Sequence, residues 1–198
     1  MPRAGYVARV ESIEALGRAG DAYRSRLIQV GAAQWAEPST CEEWTVKELA
    51  DHVLGGNRFA VSLLAGLSSP DAFAEALAGG FSGPPADQFD ISAADQLSAF
   101  SRPGALDQLV DHPAGQISGR MFLNFRLGDL LLHGWDLARS TGGDEYLDAD
   151  LVPIVWDAYL PVVGDGTGGD GFGPGPSGDL PEDSSLSLRL LDLTGRRA

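Results

Sequence analysis

Basic residues are scarce in this chain. Fourteen Lys and Arg stand against 28 Asp and Glu, for a net charge of −14 with histidine uncharged. A surface so acidic repels phosphate backbones and anionic lipid heads, which argues against nucleic-acid and membrane-surface partners. Cysteine is scarcer still. The single Cys41 cannot close an internal disulfide, which fits a reducing, cytoplasmic setting. Long apolar runs are missing too: nothing approaches the roughly 18 residues of a membrane span. The opening MPRAGYVARVESIEALGRAG lacks the apolar core of a secretory signal. The reading is of a soluble, cytoplasmic protein.

What remains is ordinary globular material. Hydrophobic residues make up 43% and charged residues 21% of 198 positions, enough to bury a proper core. Apolar residues recur at helical spacing over 6–34, through Ile13, Leu16, Ala19, Tyr23 and Leu27. A second helix opens at Thr45, where T-V-K-E has the form of a capping box, and carries Val46, Leu49, Val53, Ala60, Leu63 and Leu64. Residues 66–90 read as a Gly/Pro/Ser-rich crossover with a short helical patch, followed by a helix capped by Ser92. The stretch DHPAGQISG reads as a loop with at most a brief extended piece. A long helix then runs over about 120–141, closed by Gly142-Gly143, and a fourth main helix over about 151–162, capped by Asp148. This predicts an all-α protein: a four-helix bundle with a long crossover over 1–163, then a flexible Gly/Pro-rich tail over 164–198 ending in a short docked segment.

The chain has only three histidines, and two sit where chemistry is plausible. In GDLLLHGWDLARSTGG, His133 shares a helix face with Asp129 four residues before it and Asp136 three residues after it. A carboxylate and an imidazole at i, i+4 can grip one metal ion, although a solvated i, i+4 pair has the same pattern. His52 lies on the buried side of the second helix, so adjacent helices bring it to face His133. Two imidazoles and a carboxylate suit a borderline divalent metal and leave a position for water or substrate; two satisfied core histidines are the alternative. Asp136 reads either as the carboxylate that orients His133 or as an i, i+3 partner of Arg139. Arg126 and Arg139 are candidates for anion recognition, set against a solvated helix face. Trp44 and Trp135 read as packing residues. Asn57, five residues past His52, is a candidate polar contact without support. His112, before Pro113, reads as a surface residue, and Cys41, beside Glu42 and Glu43, as a structural one.

Three stretches taken in order, EWTVKELADHV, LLLHGWDLARSTG and RLLDLTGRR, resemble the DinB-like metal proteins related to the N-terminal domain of mycothiol-dependent maleylpyruvate isomerase. The resemblance implies a four-helix bundle holding zinc or nickel through His52, Asp129 and His133. It implies a low-molecular-weight thiol such as mycothiol as co-substrate, with an electrophile as its target, in an S-transferase or isomerase reaction. Arg139 is then a candidate cofactor-binding residue. Aspartate stands here where the isomerase resembles glutamate, and the chain has a short glycine-rich tail where the isomerase has a separate C-terminal domain. A non-catalytic metal-binding or stress-related partner-binding module is the alternative reading. A homodimer is compatible with the apolar positions on such a bundle.

Overall fold

The computed structural model describes residues 4–41, 43–78, 80–163 and 175–198. Seven α-helices and one two-stranded hairpin make up most of the regular structure of these residues. Contacts divide the chain into two compact units, one ending at Glu145 and one beginning at Tyr146.

Four helices of the first unit form a closed ring: α1 (Ala4–Leu27) packs on α4 (Pro85–Ser101) and α5 (Gly119–Thr141), and α2 (Val46–Leu64) packs on the same two. Thus α1 and α2 face each other diagonally across the core. The centre holds Leu16, Tyr23, Leu49, Leu63, Phe89, Phe100, Phe122 and Leu130, all buried, and their burial is the main drive for the bundle. α5 is the central element. Fourteen of its 23 residues are buried, so it is apolar around most of its circumference rather than along one stripe. A short α3 (Ser69–Leu77) lies on α2.

Local signals explain several boundaries. The capping box is formed as expected: Glu48 N–H donates to the Thr45 hydroxyl at 3.2 Å, and Thr45 N–H donates to Glu48 Oε2 at 2.8 Å. Gly142 closes α5 in the left-handed conformation at φ 73°. α1, by contrast, stops at Leu27 rather than near residue 34. There Gln34 folds back to accept from Gly31 N–H at 2.8 Å, a local bond that competes with the helical pattern, and donates to the Thr141 carbonyl at the end of α5 at 3.0 Å.

The fourth helix of the bundle is α4, not the helix over 151–162. That second segment forms α6 (Val152–Val163), which belongs to the second unit with α7 (Leu186–Leu193). α4 also begins at Pro85, well before Ser92, inside what reads from sequence as a crossover; Pro at the first turn leaves no needed donor unpaired. The expected loop before α5 is an antiparallel hairpin, β1 (Leu109–His112) with β2 (Gly115–Ser118), its short strands lacking an apolar alternation. In the second unit, Asp192 accepts from Ser177 N–H at 3.0 Å and from Arg197 at 2.8 Å, which ties the segment around 177 to the end of α7. The expected flexible stretch over 164–174 lies outside the described residues.

Candidate metal centre

The seam between α2 and α5 gathers the titratable side chains singled out above. His52 Nε2 lies 3.3 Å from Asp129 Oδ1, and His133 Nε2 lies 3.2 Å from the same oxygen. The two imidazole centroids are 4.8 Å apart at 75°. Donor atoms about 2.0–2.1 Å from a tetrahedral ion stand roughly 3.3 Å from one another. The donor set of His52, Asp129 and His133, all within 4.8 Å of each other, therefore fits one divalent ion. His52 is not on a buried side of α2 as expected: its side chain is 39% exposed while Asp129 and His133 are at 18% and 13%, so the cluster opens to solvent on its α2 side.

Behind these residues is a buried framework that sequence spacing did not reveal. The Arg126 guanidinium, almost wholly buried, donates to Asp129 Oδ2, to Gln96 Oε1 at 2.8 Å, to Asn57 Oδ1 at 2.9 Å and to the Val53 carbonyl at 3.4 Å. Arg126 is thus an internal clamp rather than a solvated helix residue, and it leaves Asp129 Oδ1 to the imidazoles. Asn57 is buried as well, its amide donating to Ser92 Oγ at 3.0 Å. Gly56 makes the clamp possible, since a methyl group there would overlap the Arg126 guanidinium. Burial opposes a charge on Asp129, but Arg126, His52 and His133 outweigh it and hold the carboxyl well below its ordinary range. Burial likewise opposes a charge on His133. The Asp129 carboxylate and hydrogen bonds to Asp129, Asp136 and Cys41 win, raising that imidazole well above its ordinary value.

The other nitrogen of His133 faces a second group. Nδ1 lies 2.8 Å from Oδ2 of Asp136, which is buried. Cys41 Sγ donates to the same oxygen at 3.4 Å and stands 3.8 Å from His133 Nδ1. The loop carrying Cys41 is anchored to α5: Thr40 N–H donates to Ser140 Oγ at 3.0 Å, and the Thr40 hydroxyl reaches Asp136 Oδ1 at 3.3 Å. Cys41 therefore lines the site instead of filling a remote turn; its contacts are made by residues nearly a hundred positions away, and its sequence neighbours Glu42 and Glu43 say nothing of them. Trp44 joins the same wall, its ring 4.8 Å from that of His52 and 6.2 Å from that of His133. The one available signal is adjacency, because both residues immediately precede the capped start of the helix that bears His52.

Two sequence candidates sit elsewhere. Arg139 is exposed, pairs with Glu145 at 2.9 Å and lies 5.3 Å over the Trp135 ring. His112 is not a free surface residue. It packs against Phe122 at 5.3 Å and Phe125 at 5.6 Å, and its Nδ1 accepts from Ala114 N–H at 3.1 Å. Among the described residues no helix is long and apolar enough to cross a membrane.

The ring of four helices places the first unit in the DinB-like class of all-α folds. Within it, the sequence profile described as the mycothiol maleylpyruvate isomerase N-terminal domain matches residues 16–138, and the chain belongs to that family. The match takes in Cys41, Trp44, His52, Asp129, His133 and Asp136 and stops one residue short of Arg139. An uncharacterized protein of Mycobacterium tuberculosis, matched in strains H37Rv and CDC 1551, is 33% identical over 151 residues, covering 74% of this chain and 76% of its own length. Two solved structures are similar in fold. A crystal structure of mycothiol-dependent maleylpyruvate isomerase aligns with a TM-score of 0.58 at 18% identity. A histidine-to-alanine variant of that enzyme aligns with a TM-score of 0.62 at 19% identity. Each alignment covers 82% of this chain and 74% of the other.

Proposed function

We propose that this protein is a divalent-metal enzyme that presents a low-molecular-weight thiol of the mycothiol type to an electrophilic substrate, as an S-transferase or isomerase. The observation that carries this reading is the placement of two imidazole nitrogens at 3.2 and 3.3 Å from one carboxylate oxygen, on a seam open to solvent. Membership of a family named for a mycothiol isomerase supports the thiol as co-substrate.

A divalent ion, zinc or nickel, would be held by His52, Asp129 and His133, and such an ion lowers the pKa of a thiol that ligates it. Asp136 accepts from His133 Nδ1 and so presents Nε2 to the ion. Arg126 occupies Asp129 Oδ2, fixing a carboxylate one methylene shorter than glutamate with its other oxygen toward both imidazoles. The indole of Trp44 covers the His52 ring and shields one side of the opening from water.

Elemental analysis of untagged protein tests the metal. One equivalent of zinc or nickel is expected in the wild type, and substoichiometric metal in His52→Ala and His133→Ala; equal, near-zero content in all three would refute it. Turnover with a thiol and a panel of electrophiles then separates an enzyme from a non-catalytic metal-binding module, for which metal without turnover is the expected outcome.

A further inference from the structure

Tyr23 stands on α1, diagonally across the core from the helix that carries His52. Its side chain is fully buried, with the ring 5.0 Å from that of Phe89. The ring also abuts the backbone of α5 beside His133: a methyl group on Gly134 would lie 3.8 Å from Tyr23 Cδ2. Phenylalanine would fill this space equally well, so the hydroxyl needs its own explanation. Among the described residues it is the one buried side-chain polar atom without a hydrogen-bond partner. Burying a hydroxyl unpaired forfeits its hydration with nothing in exchange.

The surroundings of that hydroxyl point to the metal centre. After burial itself, the groups acting on it are Asp129, then Asp51, Asp136 and Cys41, and all of them favour the protonated form. Three of these four belong to the clusters on either side of His133. The hydroxyl is therefore a donor, and both oxygens of Asp129, the first of these groups, are already engaged: Oδ2 by Arg126 and Oδ1 by the two imidazoles.

We infer that Tyr23 is the inner wall of the metal centre, its hydroxyl donating a hydrogen bond to an acceptor oxygen that enters with the ion, a water of its coordination shell. The inference rests on the metal reading above and adds to it a positioning residue from the opposite helix. It explains why a core position between Phe89 and Gly134 carries a phenol.

Untagged full-length protein and its Tyr23→Phe variant, each compared with and without zinc, provide the test. Without metal the variant is expected to melt at the same temperature as the wild type or higher, because the orphaned hydroxyl is gone. With zinc it is expected to gain less stability, and competition with a chromophoric chelator should show zinc affinity reduced by about tenfold, the scale of one hydrogen bond. A purely structural tyrosine would shift both forms alike. Equal zinc affinities, or a variant equally destabilised with and without metal, overturn the assignment while leaving the metal reading intact. A wild type that binds neither zinc nor nickel overturns both.

Discussion

His112 couples the stability of the fold to pH through its place among phenylalanines. Burial first, and then the Arg126 guanidinium, push its pKa down from 6.5 to about 4. Between those values the unfolded chain holds a proton that the folded chain refuses, so stability falls as pH drops from about 6.5 to about 4 and loses no more from this group below that. Its partial exposure keeps the loss to about 1–2 kcal/mol. Urea unfolding at several pH values should show His112→Gln losing less stability than the wild type over this window; parallel curves would remove His112 from the account. A second residue-scale prediction concerns Gly56. The Arg126 guanidinium that a new methyl group would displace is held by Asp129, Gln96, Asn57 and the Val53 carbonyl, and cannot swing aside without losing them. Gly56→Ala is therefore expected to cost about 2–4 kcal/mol and to lower metal content, readable by denaturation and elemental analysis together.

At the scale of elements, glycines in two helices are expected to behave oppositely. Gly119 opens α5 against the preceding turn, where its N–H donates to the Gln108 carbonyl at 2.8 Å and a methyl group would overlap the Ala105 carbonyl. Backbone cannot yield as a side chain can, so Gly119→Ala should destabilise by about 2–4 kcal/mol. Gly17, within α1, has open space where a side chain would start, with nothing within 4 Å of an added methyl group. Gly17→Ala should stabilise by about 0.5–1 kcal/mol through helix propensity alone, and the same denaturation experiment reads both. The helices themselves were legible where sequence carries local signals: the T-V-K-E box starts α2 and Gly142 ends α5 because each acts on backbone groups within a few residues. Asp129 and His133 could be paired for the same reason, since they share one turn of α5, whereas bringing His52 to them took the expected packing of α2 on α5 and the family resemblance. The choice of α4 over α6 as fourth bundle member was not, since both are amphipathic and only three-dimensional packing decides between them. Nor were Cys41, Trp44, Arg126 and Tyr23, whose roles arise from contacts with other elements that no local spacing encodes.

At the scale of the whole molecule, the charge of −14 acts differently on the two kinds of visitor that the site is proposed to receive. A divalent cation approaches down the long-range field of an acidic protein, whereas an anionic thiol climbs it. Salt screens that field over about 8–10 Å at physiological ionic strength, so the two effects should be separable by ionic strength alone. Stopped-flow uptake of zinc by the metal-free protein is expected to slow several-fold between about 10 and about 150 mM sodium chloride, while capture of a dianionic thiol such as mercaptosuccinate by the zinc-loaded protein speeds up. The site itself is less acidic than the molecule around it, because Arg126 balances Asp129 within hydrogen-bond distance and His133 is held toward its charged form. Should zinc uptake prove indifferent to salt, the local balance of Arg126 and Asp129 would govern entry, and Arg126→Gln would then be the variant in which salt dependence returns.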